Sequence, residues 1–151
     1  MIELEKVLSE WKEDSQITRE NLAEDSRITP ALHSKYLEYL SLTKLRLRKA
    51  EFEQKHLLKE KWLYYSGKMP EEDIVERGWK PDPFDGLNPD TFLKKNKDLW
   101  YDTDKDIQQS EEKIVYLQTL IDTIKEIVEN IKWRHQTIGN IIRWEVFKRG
   151  D

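Results

Sequence analysis

Apolar residues recur at helical spacing along most of the chain. Ile2, Leu4, Val7, Leu8 and Trp11 are followed by a polar stretch through Ser15 and Thr18, which predicts a short amphipathic helix and a connection over residues 1–28. Thr29 is a cap-type residue, Pro30 suits the first helical position, and the next Gly or Pro is Gly67. Residues 29–67 are therefore predicted to hold one helix of about 37 residues. At about 100° per residue, Leu32, Tyr36, Tyr39, Leu40, Leu47, Ala50, Leu57, Leu58, Tyr64 and Tyr65 share one face, which must pack against something. Beside it Lys44, Arg48, Lys55 and Lys59 fall within about 60° of one another, with Trp62 in the same sector and Lys61 nearer the apolar stripe.

The pattern then breaks. Residues 68–106 hold four of the five prolines, two glycines and eleven acidic residues, so 68–105 is predicted as an extended acidic connection. Its aromatics, Trp79, Phe84, Phe92, Trp100 and Tyr101, are too many for a flexible linker, and part of it is expected to pack back on the helices. From Asp106 the period returns as heptads, with Ile107, Ile114, Ile121, Val128, His135 and Ile142 at a and Ser110, Leu117, Ile124, Ile131, Ile138 and Glu145 at d. Nine of these twelve positions are aliphatic, and Leu120, Ile127 and Ile141 widen the stripe to g, so 106–149 is predicted as a coiled-coil-like helix. Ile at both a and d disfavours two strands, and an assembly above a dimer is expected through Ile114, Leu117, Leu120, Ile121, Ile124, Ile127, Val128, Ile131, Ile138, Ile141 and Ile142. The same stripe can instead fold back on 30–66 within one chain, or do both. The expected fold class is all-α, a single domain of long amphipathic helices with one loop insertion.

Composition sharpens this reading. Charged and hydrophobic residues each make up 37% of the chain, and the hydrophobic share is below the roughly 45–50% of ordinary globular domains, so the apolar residues have to be concentrated on stripes. The net charge of −4 is unevenly spread. Residues 33–68 carry nine basic and four acidic groups, and 132–151 carry five and two, whereas 69–131 carry eight and sixteen. Two basic blocks can thus place a positive surface on an anionic particle.

Several chemistries are excluded or left unsupported. There is no Cys, hence no disulfide or thiolate site, and His33, His56 and His135 form no ligand pair. No phosphate-binding glycine motif is present. Glu71-Glu72-Asp73 and Asp102-x-Asp104-x-Asp106 read as solvated loop charges rather than a Mg²⁺ site. No enzyme activity and no cofactor are expected. The N-terminus is acidic and amphipathic, unlike a signal peptide, and no run approaches membrane-spanning length, which points to the cytoplasm.

The basic ridge admits two readings. Lys and Arg release counterions from phosphates and neighbouring aromatics stack on exposed bases, which would make the ridge a single-stranded DNA site. On composition alone it reads better as the wet flank of a long helix, pairing with Glu51, Glu53 and Glu60.

Three colinear matches tip that balance. Ser34-Lys35-Tyr36-Leu37 with the basic helix after it, Leu58-Lys59-Glu60-Lys61-Trp62-Leu63-Tyr64-Tyr65-Ser66-Gly67, and Asn96-Lys97-Asp98-Leu99 with the tail from Ile131-Lys132 to Phe147-Lys148-Arg149-Gly150 resemble the UvsY family of phage recombination mediators. The Tyr-Tyr-Ser-Gly helix end is the most specific piece. The resemblance implies a homo-oligomer, a hexamer or heptamer, that binds single-stranded DNA and helps load a UvsX-like recombinase onto strands covered by the phage single-strand-binding protein. It places the family's DNA-contacting basic pair on Lys59 and Lys61, where Lys61 replaces an Arg and loses the planar fork. The expected DNA-binding set is Lys44, Arg48, Lys55, Lys59, Lys61, Trp62, Tyr64 and Tyr65. The rival is a structural coiled-coil or adaptor protein that does not bind DNA.

Overall fold

A computed structural model describes residues 2–84 and 100–150, and every regular element among them is helical. Helix α1 spans Leu4–Asp14; α2 spans Leu22–Arg27 after a single 3-10 turn at Arg19–Asn21; α3 spans Thr29–Tyr65 and α4 Glu71–Glu76. Two further helices, α5 (Lys105–Lys132) and α6 (Arg134–Lys148), complete the described chain. Two compact units are present, one of Met1–Leu47 with Tyr116–Asp151 and one of Arg48–Val115. Helices α3 and α5 contribute to both.

Helix α3 runs unbroken for 37 residues because no Gly or Pro follows Pro30 until Gly67. At its start the Thr29 hydroxyl donates to the Asp25 carbonyl at 3.0 Å, so this residue closes α2 instead of capping α3. At its end Gly67 adopts φ +74°. The Lys68 N–H reaches the Leu63 carbonyl at 2.9 Å and the Gly67 N–H reaches that of Tyr64 at 3.2 Å. That is a Schellman stop, and its left-handed residue costs little only as glycine. The Tyr-Tyr-Ser-Gly run is thus the signal that ends the helix.

The first unit is built on a core of Val7 from α1, Leu32, Tyr36 and Leu40 from α3, and Leu120, Ile121, Ile124, Ile127, Val128 and Ile131 from α5. Burial of each such side chain is worth about 1.5–3 kcal/mol. Polar contacts fix the register of α1 on α3. Lys35 Nζ sits 3.1 Å from Glu10 and 2.7 Å from Asp14, while the Tyr36 and Tyr39 hydroxyls each donate to one of these carboxylates at 2.8 Å. Lys35-Tyr36 is therefore a structural clamp.

The heptad stripe meets its own chain. Leu117, Leu120, Ile121, Ile124, Ile127, Val128, Ile131 and Ile138 are all buried, so these expected oligomerisation residues are consumed by intramolecular packing. Ile114 and Ile141 are half-buried, and among the eleven only Ile142, 46% exposed, faces outward. The fold-back arrangement weighed above is the one observed, because an apolar face widened to g covers α1 and α3 together. The expected continuous helix over 106–149 is also interrupted. Bonds of i→i+3 type from Trp133 to Asn130 and from Gln136 to Trp133, 3.1 and 3.0 Å, tighten the chain there. Next to that turn Arg134, 4% exposed, directs its guanidinium at the carbonyls of Asp14, Ser15 and Asp25 and at Thr29 Oγ1, at 3.1–3.4 Å. One cation thereby satisfies the ends of two helices.

In the second unit Tyr64 and Tyr65, at the end of α3, join Met69, Ile74 and Phe84, with Leu63, Trp79, Trp100 and Tyr101 packed around them. Part of the acidic connection thus packs back through its aromatics, as their number predicted. Phe92 and Asn96-Lys97-Asp98-Leu99 lie outside the described residues.

Candidate nucleic-acid interface

The outer surface of α3 in the second unit carries Arg48, Phe52, Lys55, Lys59 and Trp62. Steps of four, three, four and three residues keep all five within about 80° on the helix. Each is exposed, Phe52 to 48% and Trp62 to 44%. Cations and rings alternate and touch. The Arg48 guanidinium lies 4.3 Å from the Phe52 ring centroid, Lys55 Nζ is 5.8 Å from it, and Lys68 Nζ lies 4.8 Å from the Trp62 ring. Arg48 also meets Glu51 at 3.1 Å, a surface pair worth at most about 1 kcal/mol. Among the described residues Lys59 forms no ion pair. Lys44 is exposed as well and belongs to the other unit.

Three of the expected DNA-binding residues are corrected. Lys61 is only 3% exposed; its ammonium lies 3.0 Å from Asp104 Oδ2 and 2.9 Å from Asp106 Oδ2, and 3.8 Å from the Trp79 ring centroid. Tyr64 and Tyr65 are 5% and 7% exposed, and their hydroxyls donate to the Lys80 carbonyl and to Asp104 Oδ2, both at 2.5 Å. None of the three presents a free surface to a strand. The reason is helical geometry: residues two apart point about 160° away from each other, so Lys59 and Lys61 cannot share a face.

Asp104, expected as a solvated loop charge, is 8% exposed and also accepts the N–H groups of Asp106 and Ile107 at 2.9 and 3.1 Å, capping α5. Burial pushes its carboxyl upward, but the Tyr65 hydroxyl, Lys61 and the Ile107 N–H together hold it below the ordinary carboxylate value. The same surroundings raise the Tyr65 hydroxyl well above the usual phenol range, first by burial and then through the hydrogen bond to Asp104. Lys61, Asp104 and Tyr65 form a closed polar latch inside the second unit.

Residues missed from sequence are Phe52, Lys68 and Asp104. Phe52 was legible, since it lies four residues after Arg48 and three before Lys55. Lys68 stands beyond the helix stop, and Asp104 finds Lys61 only through the fold. Among the described residues no group of His, Asp and Glu is placed to hold a metal ion, and no helix is long and apolar enough to cross a membrane.

The fold is that of a phage recombination mediator. Two crystal structures of the bacteriophage T4 recombination mediator protein UvsY resemble it, both at 24% sequence identity. The form called lattice type II gives a TM-score of 0.77 over 99% of each chain. Lattice type IV gives 0.70 over 97% of this chain and 99% of the other. No curated protein sequence matches. The family model described as "Recombination, repair and ssDNA binding protein UvsY" matches residues 10–151, and the chain belongs to the UvsY family.

Proposed function

We propose that this chain binds single-stranded DNA along the outer face of α3 and acts, as a homo-oligomer, to help load a UvsX-like recombinase onto strands covered by the phage single-strand-binding protein. The observation that carries this reading is the exposed row Arg48, Phe52, Lys55, Lys59 and Trp62 in a member of a family of recombination, repair and ssDNA binding proteins. Its cations meet phosphates and its rings meet bases, the two ingredients of sequence-tolerant single-strand binding. A hexamer or heptamer would repeat the row several times, so that weak single-site contacts sum to tight binding. The chain has no phosphate-binding glycine motif, and in this reading the recombinase supplies the ATP chemistry while this protein acts by binding, without catalysis or a cofactor. It works in the host cytoplasm during infection.

Self-association falls to α6 in this reading. Ile142 and Val146 are exposed on one side of it, and Trp144 stacks on exposed Phe147 on another, with ring centroids 5.7 Å apart. Exposed apolar groups so close together are costly unless covered.

The test is fluorescence anisotropy of a labelled single-stranded oligonucleotide, titrated with wild type and with Lys55→Ala/Lys59→Ala over a series of salt concentrations. Tight wild-type binding with a steep salt dependence, and a variant whose log–log slope is smaller by about 1.4 for each subunit the strand engages, support the reading. Binding no stronger than that of an acidic control protein replaces it with the structural coiled-coil reading. Recombinase loading is read separately, as the rate of ATP hydrolysis by a UvsX-type recombinase on a strand coated with single-strand-binding protein.

A further inference from the structure

Among the described aromatics of the second unit, Phe52 and Trp62 stand apart. Tyr64, Tyr65 and Phe84 are buried in its core, and Trp79, Trp100 and Tyr101 pack against that core, whereas these two rings project from the charged face of α3. No packing need explains them, and each has a cation against it, Arg48 at 4.3 Å and Lys68 at 4.8 Å. Ten residues apart on one helix, they are separated by about 15 Å along its axis. That is the rise of four to five nucleotides at ~3.4 Å each in stacked form, and of fewer in a stretched strand. Lys55 and Lys59 occupy the interval, on the same face.

We propose that Phe52 and Trp62 are two base-stacking platforms on one strand-binding track, with Arg48, Lys55, Lys59 and Lys68 taking the phosphates beside and between them. This rests on the single-stranded DNA reading above and adds to it the means by which single strands are selected. A ring can stack only on a base whose face is open, and in a duplex those faces are already covered by neighbouring bases. The track therefore prefers single strands to duplex and ignores base identity, because every base offers a π-face. The Arg48–Glu51 pair is exposed and readily gives way, so its guanidinium can turn from carboxylate to phosphate without losing its ring.

An abasic strand separates the two contributions, since it keeps the phosphates and lacks the bases. Wild type, Phe52→Leu, Trp62→Leu and the conservative pair Phe52→Tyr/Trp62→Phe are titrated by anisotropy into a labelled thymidine oligonucleotide and an abasic strand of equal length. Light scattering follows the assembly of each protein. Both rings are half exposed, so their truncation leaves no cavity, and retained binding to the abasic strand reports a folded protein. Each Leu variant is expected to weaken thymidine-strand binding by between about fivefold and about 150-fold. Abasic binding and the salt slope stay at the wild-type level, and the conservative pair stays near wild type on both strands. Leu variants that bind both strands as wild type does, that lose both in equal measure, or that change only the assembly state overturn the platforms while leaving phosphate binding intact. Wild type that binds neither strand overturns the single-stranded DNA reading itself, and the platforms with it.

Discussion

Lys61 Nζ lies 3.0 Å from Asp104 Oδ2, and the two side chains are only 4% and 5% exposed. An ammonium taken so far out of water is tolerable only with carboxylate partners, here buried Asp104 and the more exposed Asp106, and removing the lysine from such a buried pair costs about 3–5 kcal/mol. Lys61→Ala is therefore expected to lower stability by an amount in that range, measured by urea unfolding. Lys59→Ala, on the exposed face, is expected to stay within about 0.5 kcal/mol of wild type. Lost DNA binding in Lys61→Ala then reports a disturbed unit and not a lost phosphate contact. Removing both charges together, as Lys61→Met/Asp104→Asn, is expected to cost clearly less than the two single changes combined, because neither leaves a buried charge unpaired. Full additivity of the two would sink the latch.

The same pair sets a dependence on pH. Asp104 ionises more readily in the folded protein than in an unfolded chain, since the Tyr65 and Lys61 contacts outweigh its burial. A carboxylate with a lowered folded value contributes stability that is fully present above its unfolded value of about 3.9 and is lost as pH falls through the folded value. Glu10 has the same sign, with Tyr39 and Lys35 outweighing its desolvation. Urea midpoints of the wild type are expected to hold steady from about pH 7 to about pH 5 and to drop on acidification below about pH 4. In Asp104→Asn this acid-side drop is smaller though not abolished, because Glu10 still titrates. An unchanged acid limb in the variant would remove Asp104 from the account.

What the sequence made legible, and what it hid, divides along one physical line. Contacts between residues a few positions apart follow from helical periodicity, so the span of α3, the Gly67 stop and the shared face of Arg48, Lys55, Lys59 and Trp62 could all be read directly. Three residues on that helix exposed the limit. Lys61 was grouped with Lys59 by family resemblance although its angular position beside the apolar stripe argued otherwise, and Tyr64 and Tyr65 were counted on both faces. Partners distant in sequence were beyond reach, since nothing near Lys61 announces Asp104. The α5 stripe showed a further limit, because heptad spacing says that a face will be covered and not whether the cover is the same chain or another copy.

Among the described residues Arg134, 4% exposed, is a buried charge with no carboxylate partner. Its guanidinium is shared among the carbonyls of Asp14, Ser15 and Asp25 and the Thr29 hydroxyl. Hydrogen bonds to a charged group are worth about 1.5–3 kcal/mol, and carbonyls left unsatisfied inside the fold add to the loss. Arg134→Met is expected to destabilise the protein by at least about 2 kcal/mol in thermal or urea unfolding. Arg134→Lys recovers only part of this, because an ammonium cannot span helix ends that a planar fork reaches together. A lysine variant as stable as wild type would show that charge alone, and not the fork, is what the site requires.

The core stripe and the outer residues of α6 should respond in opposite ways. Ile124 is fully buried in the first unit's core, so Ile124→Ala is expected to cost about 2–5 kcal/mol of stability whatever the state of assembly. Ile142 and Phe147, 46% and 73% exposed, contribute little to the fold of one chain. Ile142→Asp/Phe147→Asp is accordingly expected to leave the helical circular dichroism of a dilute sample intact and to shift light-scattering mass toward the single subunit. If binding relies on repeated copies of the α3 row, the same variant loses single-strand affinity by an order of magnitude or more, while every residue of that row remains in place. Retained mass would place the assembly contacts elsewhere on the subunit, and lost mass with undiminished affinity would show that one copy of the row suffices.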